Sequence, residues 1–158
     1  MPDEVTLARW LEQADLLEDM DTLPTTAEYR LALELREAVA RACGALANDA
    51  SPAASDLETI NRIARKVTLG APYLDPTAMV QRWRTGAPVQ LALGRLAVGA
   101  IRVISQEGDR LVRCQLPGCG ALLLSGRRGE PRRWCSMQTC GNRAKVRAFR
   151  AQRDSAPV

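Results

Sequence analysis

The chain has 158 residues, 46% of them hydrophobic, and a formal net charge of +4. That apolar share excludes a wholly disordered chain. The absence of histidine removes the commonest general base and the commonest nitrogen ligand for metals, so any metal site must use thiolates or carboxylates.

The charge divides sharply along the chain. Residues 1–109 hold 11 Arg or Lys against 16 Asp or Glu, a net of −5, while residues 110–153 hold 11 against Glu130 alone, a net of +10. The N-terminus is acidic and has no basic region followed by an apolar stretch, so no secretory signal is expected and the cytoplasm is the expected compartment.

Leu7, Trp10, Leu11, Ala14 and Leu17 recur at helical spacing, which predicts an amphipathic helix over residues 4–19. Thr25 and Glu28 have the spacing of a capping box, and the stripe Leu31, Leu35, Ala38, Val39, Ala42 and Leu46 predicts a long helix behind it. Cys43 lies beside that stripe and reads as a buried structural thiol. The helix fades in the small polar run 48–55. Ser55 and Glu58 repeat the capping pattern before a third stripe of Ile60, Ile63, Ala64 and Val67, which stops ahead of Gly70. Between residues 70 and 88 the prolines and glycines predict a loop or a short hairpin. Pro88 suits the first turn of a central helix reaching about Gln106. Its apolar run, residues 89–104, spans 16 residues and carries Gln90, Arg95 and Arg102, short of the roughly 20 that a membrane span needs. Gly108 marks a boundary. The expected domains are a helical one over 1–108, a small module over 109–153 and a tail over 154–158.

Four of the five cysteines fall in that module, as Cys114-x4-Cys119-x15-Cys135-x4-Cys140. Two close pairs joined by a spacer can each supply one edge of the tetrahedron zinc prefers, and four thiolates leave no open position for catalysis. Pro117-Gly118 offers a turn inside the first pair. Residues 121–124, a turn at 126–129 and residues 132–134 predict a hairpin in the spacer, with Trp134 covering the site. Two other fates of four cysteines compete: a pair of disulfides, disfavoured in a reducing compartment, and an iron–sulfur cluster. The expected fold is mainly α, an N-terminal helical bundle followed by a zinc-stapled β-hairpin and a C-terminal helix.

The run Arg133-Trp134-Cys135-Ser136-Met137, with Cys140-Gly141-Asn142-Arg143 and Lys145 after it, resembles the CGNR zinc finger, which is named for those four consecutive residues. In that family the finger follows a helical region called the ABATE domain. The resemblance, strong over about residues 110–150, implies a stress-induced bacterial transcription regulator. Upstream it rests on the order of helices and on Trp10-Leu11. Members carry a strand segment before the first helix and an aromatic residue after the second cysteine. Here the chain starts at the helix, which implies an abbreviated domain, and Ala121-Leu122-Leu123-Leu124 follows the cysteine.

A helix beginning at Cys140 would place Arg143, Arg147 and Arg150 on one face and leave Val146 and Phe149 to pack on the finger. Arg127, Arg128, Arg132 and Arg133 on the hairpin would form a second basic surface, and Asn142 and Lys145 complete the expected nucleic-acid contacts. A solvated basic face without a partner and a protein-docking face are the competing readings. DNA is favoured over RNA because Trp134 and Phe149 are the module's only aromatic residues for stacking bases. The sequence thus points to a DNA-binding zinc regulator whose helical domain senses a signal or forms a homodimer, its effector left open. The alternative is a protein-interaction adaptor without DNA binding. With no nucleophile motif and no recognisable carboxylate arrangement, an enzyme is not expected.

Overall fold

In the computed structural model, residues 3–17, 23–126 and 132–154 are described. Five α-helices and two antiparallel hairpins account for the regular structure among them. Contacts divide the chain into two units: Met1–Ala42 with Ala53–Ser105, and Cys43–Pro52 with Gln106–Val158.

In the first unit, helix α1 (Glu4–Gln13) starts at Asp3, whose side chain accepts the Thr6 N–H at 2.7 Å. It stops short of the expected residue 19. Asp15 takes a left-handed conformation with φ of 54°, and the Leu16 N–H returns to the Leu11 carbonyl while the Asp15 N–H returns to Glu12. This is a Schellman closure, which Asp tolerates better than most residues. Residues 18 and 19 of the expected helix lie outside the described residues.

Helix α2 (Thr26–Leu46) opens with the expected capping box: Glu28 accepts the Thr25 N–H at 2.9 Å, and Thr25 Oγ1 accepts the Glu28 N–H at 3.3 Å. Helix α3 (Ala54–Ala64) does not use the predicted Ser55/Glu58 box. Ala53 is its N-cap, so Ser55 falls inside the first turn, where it cannot cap. The first turn is instead held by Asp56, a buried carboxylate that takes Arg41 Nη2 at 2.6 Å and Nε at 3.0 Å. A 3₁₀ turn (Arg65–Leu69) then leads into strands β1 (Gly70–Leu74) and β2 (Gln81–Thr85), paired from Gly70↔Thr85 to Leu74↔Gln81. At their connection Asp75 accepts the N–H groups of Ala78 and Thr77 and, through its other oxygen, Arg82 Nε at 2.8 Å. These bonds hold its carboxyl below the usual range.

Helix α4 (Pro88–Glu107) begins at Pro88 as expected. By length and composition the helical segment Pro88–Arg110 is long and apolar enough to cross a membrane, unlike the shorter run read from the sequence. In the fold its Val89, Ala92, Leu93 and Ala97 join Leu7, Leu11, Leu35, Ile60 and Ile63 in one core. Trp10, placed in the α1 stripe by its spacing, is 46% exposed. Packing at Gly94 is closest: a Cβ there would sit 2.5 Å from the Val67 nitrogen, against backbone that cannot swing aside.

In the second unit, strand β3 (Leu111–Arg113) pairs with β4 (Leu122–Leu124), Leu111 opposite Leu124 and Arg113 opposite Leu122. This corrects the expected hairpin. Residues 132–134 form no strand, and positions 127–129 of the expected turn lie outside the described residues. The partner of β4 comes from before the first cysteine pair, because Gly118 and Gly120, at φ of 82° and 67°, reverse the chain within and just after that pair.

Gly94→Ala should lower stability by about 1–3 kcal/mol through overpacking. Gly99→Ala, on the same helix with nothing within 4 Å of its Cβ, should raise it by about 0.5–1 kcal/mol. Thermal melts of the two variants check the contrast, and equal effects would remove the backbone contact as the explanation.

Candidate metal centre and basic helix

The β3–β4 hairpin presents the first cysteine pair. The Cys114 N–H donates to the Ala121 carbonyl at 2.8 Å and the Cys119 N–H to Leu116 at 3.0 Å, closing a tight knuckle. Of the second pair, Cys135 sits on the loop just ahead of Ser136, the N-cap of a wide π turn (Met137–Gly141) that holds Cys140. The Ser136 hydroxyl accepts the Thr139 N–H at 3.3 Å, and its carbonyl accepts that of Gly141 at 3.0 Å. The helical segment therefore starts three residues before Cys140, at Met137, not at it, and continues as α5 (Asn142–Asp154).

The four sulfurs all lie within 4.8 Å of one another. Cys119 and Cys135 are separated by 3.7 Å, Cys119 and Cys140 by 3.6 Å, and Cys135 and Cys140 by 3.3 Å. Zinc–sulfur bonds of about 2.3 Å imply tetrahedral edges of about 3.8 Å, so the cluster fits one such ion and no pair is disulfide-bonded. N–H groups of Cys135 and Leu116 aimed at the Cys114 sulfur lower its pKa to about 7. The Cys135 sulfur against Cys140 pushes that thiol up to about 12. Four sulfurs this close resist common ionisation until a cation joins them. Leu116 and Leu123 are buried around them, with Val112, Trp134 and Ala144 packed alongside. Trp134 thus covers the site as expected. Cys43 is buried elsewhere, and desolvation raises its pKa.

The residues after Cys140 have separate physical duties. A Cβ at Gly141 would meet the Met137 sulfur at 2.9 Å and Trp134 Cδ1 at 3.3 Å. Asn142 Nδ2 donates to the Gln138 carbonyl at 3.0 Å, bracing the change from π turn to α-helix. Arg143 faces outward.

The expected basic contacts fall into three groups. Arg132, though exposed, folds back on its own loop, its Nε donating to the Trp134 carbonyl at 3.0 Å and its Nη2 to that of Cys135 at 2.5 Å. Arg133 donates to Gln115 Oε1 at 2.7 Å and lies 5.3 Å from the Trp134 ring centroid. Both hold the loop that carries Cys135. Arg127 and Arg128 lie outside the described residues. Asn142, Arg143, Arg147 and Arg150 line one shallow cleft of about 490 Å³ along α5, and Lys145 is exposed but does not line it. Val146 lies in that cleft and Phe149 is 61% exposed, so neither packs on the finger as expected.

Two cleft residues were missed. Gln138 and Thr139 share the face, and their spacing of four from Asn142 and Arg143 is the signal that could have found them. Arg110, counted only as charge, is bonded through Nε to the Ser125 carbonyl at 3.0 Å and ion-paired with Glu107.

Two family models match the chain. One, described as "Putative stress-induced transcription regulator" and named ABATE, covers residues 1–107, more than half of the sequence. The chain belongs to the ABATE family. The other, the CGNR zinc finger, covers residues 110–153. No curated protein matches the sequence. An ABATE-family chain with a CGNR finger and four clustered sulfurs fits one structural zinc ion.

Cys140→Ser should lower bound zinc from one per chain to less than about half an equivalent while leaving the α1–α4 core folded. Metal analysis beside circular dichroism checks this, and full zinc retention would remove Cys140 from the ligand set.

Proposed function

We propose that Cys114, Cys119, Cys135 and Cys140 hold the zinc and that the finger, residues 109–153, binds duplex DNA through α5 in a cytoplasmic bacterial transcription regulator. The observation that carries this reading is the α5 face. Arg143, Arg147 and Arg150 line one cleft directly beyond the sulfur cluster, and among the described residues no carboxylate pairs with them. Guanidinium groups so aligned repel one another unless an anion lies between them, and phosphate suits their planar fork. The net +10 of residues 110–153 adds long-range attraction to a polyanion.

The helical domain, residues 1–108, then serves to sense a signal or to join a second copy. An apolar cleft of about 610 Å³ lined by Leu7 and Trp10 of α1, Leu35 and Val39 of α2, and Leu93 and Leu96 of α4 is the size of a small-molecule site and supports sensing. A second reading, a protein-docking adaptor, is favoured by one feature, the exposure of Phe149.

Titration of a labelled duplex at several salt concentrations separates them. DNA binding gives a linear fall of log affinity with log salt, and Arg147→Ala and Arg150→Ala should each reduce the slope by about 1 while zinc content stays at one per chain. No duplex binding at low salt would leave the adaptor.

A further inference from the structure

The α5 cleft has an internal order that a purely phosphate-binding surface does not need. One ridge along the helix runs Gln138, Asn142, Val146, Arg150 in steps of four, and the adjacent ridge carries Thr139, Arg143 and Arg147. The end near the sulfur cluster thus carries two amides, one hydroxyl, one guanidinium and one apolar branch. The far end is guanidinium alone.

Those groups match base edges. Asn and Gln pair with the N6 and N7 edge of adenine, Arg with O6 and N7 of guanine, and an apolar side chain with the thymine methyl group. A helix, about 10–12 Å across with its side chains, also fits a major groove about 12 Å wide. The near end is held firmly: Cys140 is buried in the sulfur cluster, and Asn142 is bonded to the Gln138 carbonyl through Nδ2, which leaves its Oδ1 to accept. A reading surface needs such fixed side chains, whereas phosphate contacts tolerate looser ones.

Resting on the DNA-binding reading above, we infer that α5 enters the major groove with its N-terminal end first. Gln138, Asn142, Arg143 and Val146 lie against base edges, and Arg147 and Arg150 engage phosphates where the helix leaves the groove. Arg143 is the specificity residue, directed at a guanine.

Selection from a pool of randomised duplexes, followed by affinity measurement on the recovered site, tests this. The wild-type chain should recover a preferred sequence containing a guanine read by Arg143. Arg143→Lys keeps the charge but loses the planar fork. It should weaken binding to the preferred site by roughly 5- to 150-fold, relax preference at that one base pair, and leave affinity for unrelated duplex and the salt slope unchanged. Gln138→Ala, a second variant that keeps the backbone carbonyl bonded to Asn142, should relax preference at a different base pair. Arg147→Ala should weaken all duplexes alike. The two levels fail differently. If the wild-type chain binds no duplex, the DNA-binding reading itself is wrong. If it binds but selection recovers no preferred sequence, or Arg143→Lys and Gln138→Ala keep the wild-type preference, only the base-reading inference is overturned.

Discussion

Four sulfur atoms gathered within 4.8 Å of one another are the constraint on which the C-terminal unit depends. The apolar cluster around them is small. Leu116 and Leu123 are its buried aliphatic residues, and the remaining contacts come from half-buried side chains and the cysteines themselves. So little apolar burial does not offset the entropy of ordering the loops that carry each pair, so a shared metal must supply the difference. Under that assignment the knuckle at Cys114 and Cys119, the loop at Cys135 and the π turn at Cys140 close into one body. A Cβ at Gly141 would crowd Trp134 and push the exposed Met137 side chain aside.

The same constraint sorts the positive charge. A zinc ion held by four thiolates carries a net charge of about −2, and cations near it are favoured. Arg132 donates to the carbonyls of Trp134 and Cys135, and Arg133 braces Gln115 and Trp134. Both fix the loop that carries Cys135. The arginines of α5 point away and have no such internal duty. A count of charge along the sequence treats both sets alike, whereas the fold separates a structural pair from an outward-facing row.

Much of this was legible from residue spacing. The capping box at Thr25 and Glu28, Pro88 at the start of α4, the helical stripes and the cysteine pairs all involve local rules with one satisfactory solution. The failures have physical causes as well. Asp15 ends α1 by taking a left-handed conformation, which periodicity alone does not reveal. Ser55 has a capping partner at the right spacing, yet Asp56 and Arg41 fix the start of α3 across to α2, and that pairing is non-local. The pairing of β4 with β3 brackets the first cysteine pair, whereas the turn signal after β4 pointed to residues 132–134 as its partner. Val146 and Phe149 read as packing residues because apolar side chains usually are. They remain exposed because the sulfur cluster, with Trp134 and Ala144 around it, takes up the packing that the finger needs.

Metal-dependent ordering of α5 is the central claim, and it is distinct from the question of which bases the helix reads. The direct measurement is zinc titration of the metal-free chain, following duplex binding by fluorescence anisotropy and helicity by circular dichroism in the same samples. The account predicts that binding rises with added zinc and saturates at one ion per chain, while most of the helical signal, which comes from α1–α4, is present from the start. Metal-free protein that binds duplex as tightly as the zinc-loaded form would contradict it.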